Sequence, residues 1–363
     1  MARRSGYQSY RGRSGRSGPL KILVILLAVV LLVLAAVFFW LQDYMVYTPD
    51  GVQLELPFGR SDPTPTPTPE PTPVLPVVDP VVQTTPPKEE TPEGGALRAV
   101  EVSLDSLLAG TAMEELEAAG GNAILLDMKD EQGRLAYVSD LELAKAAGVS
   151  GADLAVNYAI ATLKEEGVYL VARMECFRDN QLPLHDHGLA IHTNSGYRWT
   201  DPDKLRWSSP TNTEVQAYLT AVAGELAALG FDEIVLDSAG YPTQGNLHYI
   251  KKGDAYNEEE FSTVINSFYR QMVAAVEERG ARLGVITTPE VLTTGQDANS
   301  GQTAAGLAES VWRVWLEPGA ADPSLLAYAL ESAGMTRPEQ RLVLSGGGGA
   351  ADSLGSWAKL LES

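Results

Sequence analysis

Residues 213–238, with the sequence TEVQAYLTAVAGELAALGFDEIVLDS, carry the pattern that decides the fold. The first part predicts a helix over 213–229, because Asn212 or Thr213 can cap its start and Gly230 can end it. The part after Gly230 is a short apolar run that ends in an aspartate, which is typical of a buried strand. A helix that leads directly into a buried strand favours a parallel sheet covered by helices.

The same alternation of apolar runs and helical stretches continues through the body of the chain, residues 97–363. A second long helix is predicted over 258–279, with Asn257 as its cap and Gly280 at its end. Seven apolar runs predict strands, and they are 97–104, 122–128, 168–176, 231–238, 281–288, 311–317 and 341–345.

This number of strand–helix units predicts an α/β fold, a (β/α)8 TIM-barrel-like domain, with a doubly wound open sheet as the alternative. No glycine-rich phosphate loop follows any of these runs, so a nucleotide-binding open sheet gains no support. The last residues, 346–363, predict a flexible turn and a helix and contain no clear strand. We therefore expect a barrel that is incomplete at its C-terminus, or one that is closed by a segment without a strand-like pattern.

An uninterrupted apolar segment precedes the body. Residues 22–41, ILVILLAVVLLVLAAVFFWL, contain no charge, glycine or proline, and a helix of that length spans about 30 Å, one hydrocarbon core. A cleaved signal peptide is the alternative, but its apolar core is usually shorter and is followed by small residues. The sequence therefore predicts an uncleaved, single-pass signal anchor in the cell membrane. Residues 1–21 carry six basic groups and no acid, which predicts a cytoplasmic tail and an extracellular body.

Two segments separate the anchor from the body. Residues 42–60 are a short juxtamembrane segment, within which 45–58 predicts a hairpin around Asp50 and Gly51. Residues 61–96 are a Pro/Thr-rich linker that contains eleven of the 22 prolines of the chain. Such a composition cannot build a core and favours extended polyproline II. We expect a stalk that holds the body away from the membrane in a bacterial envelope.

The composition excludes several classes of protein. The net charge is −20, of which the body contributes −19, and this acidity argues against nucleic acid as a partner. The single cysteine, Cys176, excludes an intramolecular disulfide framework and a cysteine-based zinc site. No motif implies an organic cofactor, so none is predicted.

Polar residues at the carboxyl ends of the predicted strands are the candidates for chemistry, because active sites of such barrels lie at that end. A pair of carboxyl groups there can hydrolyse a glycosidic bond when one is protonated and the other is ionised. The candidates are Asp127 and Lys129 after the second strand, Arg173 and Glu175 in the third, Asp237 at the end of the fourth, and Glu290 and Glu317 after the fifth and sixth.

Each candidate also has a purely structural interpretation. Arg173 and Glu175 are two residues apart and point the same way from a strand, which favours an ion pair inside the barrel. Asp127 and Lys129 can equally form a solvated turn or an internal ion pair. Asp237 either caps the loop that follows it or takes part in the reaction.

A long polar loop, 177–207, follows the third predicted strand. Trp199 and Trp207 in this loop are candidates for surfaces that stack on sugar rings, and the alternative is that they pack the loop. The loop also contains three histidines, which are His185, His187 and His192. This spacing could suggest a metal site, but a loop packed by its own aromatic side chains is the preferred interpretation, and no metal site is predicted.

Four stretches of the body carry a resemblance to a known family. They are NAILLDMKDEQGRLAY (122–137), YLVARMECFRD (169–179), YRWTDPDKLRWSSPTNTEVQAY (197–218) and GFDEIVLDSAGYPTQG (230–245). Through them the body resembles the "putative glycoside hydrolase domain" family of barrel proteins. Weaker similarity continues through 286–296 and 311–318, so the resemblance covers most of 97–330. The membrane anchor and the stalk also resemble members of that family.

The resemblance implies a barrel that hydrolyses O-glycosyl bonds in a polysaccharide or cell-wall glycan. Asp237 matches the acidic residue that ends the fourth-strand motif of the family. By analogy with α-amylase-like barrels, Asp237 is the nucleophile or stabilising carboxylate, and Glu290 or Glu317 is the general acid. The substrate-binding residues expected on this basis are Asp127, Lys129, Arg173, Glu175, Trp199, Trp207 and Tyr241.

The sequence departs from the family directly after the fourth-strand motif. Where the family usually has Tyr after the Asp and Arg before a Phe-Pro step, this chain has Ser238 and Gly240, followed by Tyr241 and Pro242. The arginine would supply a fixed cation beside the carboxylate. A catalytically degenerate barrel that binds a glycan or a protein is therefore the second hypothesis, and a structural anchor is the third.

Overall fold

The computed structural model describes four stretches of the chain, which are residues 45–48, 51–54, 95–346 and 355–361. The chain divides into two compact units, residues 1–83 and 84–363. The predicted anchor, 22–41, and most of the predicted linker, 61–96, lie outside the described residues. In the part that the structure describes, no helix is long and apolar enough to cross a membrane.

The first unit contains a short antiparallel hairpin. Its strands are β1 (Met45–Thr48) and β2 (Gly51–Leu54), and Thr48 lies opposite Gly51 at the turn end. The hairpin that the sequence predicts within 45–58 is confirmed in these two strands.

The second unit contains a closed barrel of parallel strands that are arranged around it in chain order. Its strands are β3 (Arg98–Glu101), β4 (Ala123–Lys129), β5 (Tyr169–Glu175), β6 (Glu233–Asp237), β7 (Arg282–Ile286), β8 (Arg313–Leu316), β9 (Leu342–Ser345) and β10 (Trp357–Lys359). Each of the seven predicted strands is present, and the predicted (β/α)8 architecture is confirmed.

Of the two expectations for the C-terminus, the second is confirmed: the barrel is closed by a segment without a strand-like pattern, β10, which lies where a helix is expected from the sequence. This strand pairs in parallel with both β9 and β3 and so closes the barrel. It has only three residues, too few to show a strand periodicity. Its position depends on partners far away in sequence: the N–H of Trp357 donates to the carbonyl oxygen of Leu97 at 2.7 Å, and the N–H of Leu97 donates to the hydroxyl of Ser356 at 3.0 Å.

Helices cover the outside of the barrel between the strands. They are α1 (Leu104–Ala109), α2 (Ala112–Ala119), α3 (Glu142–Ala146), α4 (Ala155–Glu165), α5 (Gln181–His185), α6 (Thr213–Leu229), α7 (Phe261–Glu277), α8 (Pro289–Thr294), α9 (Ala304–Ser310), α10 (Pro323–Ser332) and α11 (Pro338–Arg341). Helix α6 has the predicted bounds, with the Asn212 side chain accepting from two backbone N–H groups and Gly230 at a φ of 111°. Helix α7 begins three residues later than predicted, because Asn257 closes a turn with Glu260 instead of capping the helix.

The barrel interior holds a small apolar core. Its members are Leu97, Ala99, Ala123, Leu125, Val171, Val235, Trp315, Val343 and Ala358. Near the amino ends of the strands, the fully buried Glu233 accepts from Arg313 at 2.5 Å and from the indole of Trp315 at 3.0 Å. Because side chains alternate along a strand, the inward set continues towards the carboxyl end. It reaches a polar group there, consisting of Glu101, Asp127, Arg173, Glu175 and Asp237.

Candidate active site

Two carboxyl groups lie side by side at the carboxyl end of the barrel. Glu175 is the last residue of β5, Asp237 is the last residue of β6, and the two residues are paired in register. Neighbouring strands are about 4.8 Å apart. Both side chains share the inward parity of Val171 and Val235 on the same strands. The closed barrel therefore places these two carboxyl groups together over its core.

Burial changes the proton affinity of both groups. Burial and, to a smaller extent, the neighbouring charge of Asp237 together raise the pKa of Glu175 to about 8. Burial also raises the pKa of Asp237, while the backbone N–H of Ser238 and the charge of Arg173 act in the opposite direction. Two adjacent buried carboxylates cannot both ionise freely. The pKa of about 8 keeps Glu175 protonated at neutral pH, while the N–H of Ser238 and the charge of Arg173 favour the ionised form of Asp237.

Ser238 follows the pair in a strained conformation. Its φ of 45° lies in the left-handed region that non-glycine residues rarely adopt. There its backbone N–H donates to Oδ1 of Asp237 at 2.7 Å, and its side chain lowers the pKa of Glu175. Strained residues of this kind concentrate at functional sites.

Arg173 lies one inward position below Glu175 on β5. Its Nη2 donates to Glu101 Oε1 at 2.9 Å and to Asp127 Oδ2 at 3.2 Å. The sequence favoured an ion pair between Arg173 and Glu175. Among the described residues, Arg173 instead forms ion pairs with Glu101 and Asp127. Alternate residues on one strand are about 6.6 Å apart, whereas adjacent strands are about 4.8 Å apart, so the arginine bonds across strands. Its charge also favours the ionised form of Asp237.

A cleft of about 400 Å³ opens beside Asp237. The loops after β5, β6 and β7 form its walls, as expected for the carboxyl end of such a barrel. The polar and aromatic lining includes Arg178, Asp201, Asp203, Trp207, Asp237, Ser238, Tyr241, Thr243, Gln244, Thr287, Asp297 and Gln302. The volume is in the range of small-ligand sites, and the many oxygen and nitrogen atoms suit a hydroxyl-rich ligand.

Arg178 holds together the loops on one side of the cleft. Its guanidinium donates to Asp201 at 2.8 Å, to Glu131 at 2.9 Å and to Asp203 at 2.7 Å. Trp207 is 8% exposed, and its indole N–H donates to the same Asp201 at 3.2 Å. This fork fixes the long loop after β5 to the turn after β4, and it keeps Trp207 in the wall of the cleft.

The loop after β6 forms another wall and explains the departure at Gly240. A Cβ atom on Gly240 would lie 2.7 Å from the carbonyl oxygen of Ser300, which accepts from the N–H of Tyr241 at 2.9 Å. An arginine therefore has no room at this position without a backbone shift. Tyr241 lines the cleft, and its ring stacks on Phe261 with centroids 3.6 Å apart. Its hydroxyl is buried and has no hydrogen-bond partner among the described residues.

The two predicted general acids lie away from the cleft. Glu290 is exposed in the first turn of α8, where Pro289 begins the helix. Glu317 is exposed directly after β8. Of the three glutamates, Glu175, Glu290 and Glu317, none lines the cleft, and only Glu175 is paired in register with Asp237. The placement of Glu290 and Glu317 does not support a role as the acid that partners Asp237.

Two predicted substrate-binding residues are buried in the protein. Trp199 is 2% exposed, and its indole N–H donates to the carbonyl oxygen of Asn246 at 3.1 Å. Lys129 is fully buried and forms an ion pair of 2.7 Å with the equally buried Asp179. Asp127 lies at the mouth of the barrel, where it forms an ion pair with Arg173. These contacts favour structural roles for Trp199 and Lys129.

The histidines of the long loop do not form a metal-ligand cluster. No group of three or more potential metal ligands occurs within the described part of the chain. His187 and His192 stack with their centroids 4.2 Å apart, and burial lowers the pKa of His192. His185 is exposed.

Sequence reasoning missed three residues that the fold brings to the site, namely Glu101, Arg178 and Ser238. Glu101 could have been found by extending the inward alternation of Leu97 and Ala99 along the first strand. The role of Arg178 depends on contacts between separate loops, and that of Ser238 depends on its left-handed backbone and on Glu175 of the neighbouring strand, so neither has a local signal in the sequence.

A family model described as "Putative glycosyl hydrolase domain" matches residues 102–315, more than half of the chain. The chain belongs to this family. Membership of this family supports a glycan-related function. No curated protein sequence matches the chain.

Several solved structures are similar to this family member. A hypothetical protein from Ruminiclostridium thermocellum is 24% identical, with 51% of this chain and 96% of that chain covered and a TM-score of 0.44. The PgaB (BpsB) glycoside hydrolase domain from Bordetella bronchiseptica is 15% identical, with 73% and 93% covered and a TM-score of 0.49. A GH20 exo-β-N-acetylglucosaminidase from Vibrio harveyi is 10% identical, with 69% and 41% covered and a TM-score of 0.47.

Proposed function

We propose that this chain is a glycoside hydrolase that cleaves a polysaccharide or cell-envelope glycan with Glu175 and Asp237 as its carboxyl pair. The observation that carries the proposal is the in-register pairing of the two residues at the carboxyl ends of β5 and β6. Membership of the glycosyl hydrolase family supports the reaction class.

Glu175 is the general acid in this mechanism. Its raised pKa, about 8, keeps it protonated at neutral pH, so it can donate its proton to the glycosidic oxygen as the bond to the anomeric carbon breaks. Asp237 then stabilises the positive charge on the sugar or bonds to the anomeric carbon. A water molecule completes the reaction. Ionised Glu175 takes one proton from this water, and the water oxygen bonds to the anomeric carbon in place of Asp237.

The spacing of the pair favours retention of configuration. Retaining enzymes hold their carboxyl groups about 5–5.5 Å apart, and inverting enzymes hold them about 6.5–9.5 Å apart. In-register residues on adjacent strands start about 4.8 Å apart at the backbone, which fits the shorter range. Arg173 is a positioning residue in this scheme, because it favours the ionised form of Asp237.

The test is hydrolysis of purified polysaccharides and peptidoglycan by the full-length chain. Glu175→Gln and Asp237→Asn should each lower the rate by about 100-fold or more. Glu290→Gln and Glu317→Gln are matched controls, because both remove an exposed carboxylate at the same end of the barrel, and they should keep the full rate. The rate should fall as the pH rises through about 8, where Glu175 loses its proton. Equal rates in Glu175→Gln and the wild type would refute the assignment of the acid.

We further propose that residues 22–41 anchor the body outside the cell membrane and that residues 61–96 act as its stalk. The apolar length of the first segment and the proline content of the second support this arrangement. Protease added to intact cells should degrade the body and leave an N-terminal tag on residues 1–21 intact. A body that is released into the medium without that tag would favour a cleaved signal peptide.

A further inference from the structure

The two tryptophans of the long loop are largely covered by the protein, with Trp199 2% and Trp207 8% exposed. Two tyrosines on the loops at the carboxyl end of the barrel are far more exposed: Tyr197 at 74% and Tyr249 at 55%. They are defined here as the aromatic platform. A ring that is left in water can gain free energy when the apolar face of a ligand covers it.

The two tyrosines lie on loop segments that are bonded to each other. The backbone N–H of Asn194 donates to the carbonyl oxygen of Tyr249 at 2.8 Å. Thr193 forms an antiparallel bridge with Ile250. The loop after β5 and the loop after β6 therefore present Tyr197 and Tyr249 from one continuous backbone surface.

Both rings stand on ordered turns. The N–H of Thr193 donates to the carbonyl oxygen of Tyr197 at 2.7 Å, and the N–H of Tyr197 donates to the Thr193 hydroxyl at 3.1 Å. Tyr249 ends a 3-10 turn, in which its N–H donates to the carbonyl oxygen of Asn246 at 3.0 Å. A ligand that binds these rings has little backbone entropy to remove, so the contact is favourable at low cost.

The same segments reach the cleft beside Asp237. Gln244 and Pro202 line the cleft. Gly245 packs against Pro202, since a Cβ atom on it would lie 3.1 Å from the proline ring. The aromatic platform therefore lies on the same two loops that form walls of the cleft. Tyr249 is five residues after the cleft residue Gln244.

We propose that the aromatic platform binds sugar units of the substrate beyond the cleft, so that the ligand is a glycan chain and not a mono- or disaccharide. This inference rests on the proposed glycoside hydrolase function for the chemical class of the ligand. The hydroxyl-rich edge of a sugar pairs with water and polar groups, while its apolar face stacks on the tyrosine rings. Aromatic rings carry no charge, which suits an uncharged polymer next to an acidic protein.

The experiment measures binding by the full-length chain that carries Asp237→Asn, so that cleavage does not interfere. The probes are the hexasaccharides and disaccharides of the malto-, cello- and chito-oligosaccharide series. Tyr197→Ala with Tyr249→Ala should weaken binding of a hexasaccharide about tenfold and leave binding of its disaccharide unchanged, since two stacked rings contribute at this scale. The corresponding double Phe variant keeps both rings and should retain the affinity.

The chain offers a matched control. Tyr158 and Tyr328 are 67% and 66% exposed, and they lie on helices α4 and α10 instead of on the loops after β5 and β6. Changing both to Ala should leave hexasaccharide binding unaltered. Hexasaccharide binding that is unchanged in the platform variant, or that is no tighter than disaccharide binding, would overturn the proposal.

The platform and the hydrolase can fail separately. Binding that depends on length and on the platform tyrosines, without hydrolysis by the wild-type chain, would support the platform and refute the enzyme. Hydrolysis without such length dependence would support the enzyme and refute the platform.

Discussion

Glu175→Gln should make the protein more stable at alkaline pH, although it removes the proposed general acid. Gln has the size and neutral charge of protonated Glu, so it fits the same place in the barrel mouth. Burial raises the pKa of Glu175 from 4.5 to about 8. The folded state therefore binds a proton more tightly than the unfolded state between these two values. The stability contributed by that proton is fully present below about pH 4.5 and is lost as the pH rises through about 8.

The magnitude follows from the size of the rise in pKa. Each pH unit is worth about 1.4 kcal/mol, so the wild type loses about 5 kcal/mol of stability across the window from pH 4.5 to about 8, and about 4 kcal/mol of this loss lies above pH 5. The variant has no proton to lose at this position, so its unfolding free energy lacks this part of the decrease with pH.

Urea unfolding of the full-length chain at pH 5 and at pH 9 measures the effect. The unfolding free energies of the wild type and Glu175→Gln should be similar at pH 5, and the variant should exceed the wild type by about 4 kcal/mol at pH 9. Glu317→Gln removes an exposed carboxylate from the same end of the barrel and should leave the difference between the two pH values as in the wild type. An equal pH slope in Glu175→Gln and the wild type would refute the reasoning.

Three further substitutions test the packing around the site. Lys129→Met should lower the unfolding free energy by about 3–5 kcal/mol in urea titrations, because it leaves the charge of Asp179 buried without its partner, and a variant as stable as the wild type would contradict a buried ion pair. Gly240→Ala should destabilise by about 1–3 kcal/mol and slow hydrolysis, since its Cβ meets the carbonyl oxygen of Ser300 at 2.7 Å; unchanged stability would show that this loop yields easily. Trp199→Ala should lower the unfolding free energy by about 3–5 kcal/mol, and a loss of glycan affinity with full stability would restore the stacking role predicted from the sequence.

The sequence predicts the strands and one long helix of the barrel because their signals are local. Helix α6 lies between a side-chain cap at Asn212 and a left-handed glycine at Gly230, and both signals lie within its own segment. The buried strands are apolar runs of ordinary length, so their composition alone distinguishes them from the helices. The start of helix α7 was predicted less well. Asn257 is a residue type that often caps helices, but here it closes a turn before the helix begins.

The candidate site could be predicted only in part. Asp237 ends a strongly apolar strand, so its position at the carboxyl end of the barrel follows from the strand pattern. The sequence cannot show which carboxyl group lies beside it. Glu290 was expected because α-amylase-like barrels have their acid after the fifth strand. The register of β5 and β6 instead places Glu175 next to Asp237.

By itself, then, the sequence determined an acidic barrel domain, the positions of seven of its strands and one carboxylate at the end of the fourth. The tertiary structure alone decided the closing strand, Trp357–Lys359, and the pairing of Glu175 with Asp237. The physical reason is the range of the interactions. A strand of three residues is stable only between two neighbours, and the raised pKa of Glu175 arises from burial beside a residue 62 positions away in the chain. Neither effect exists until the barrel has closed.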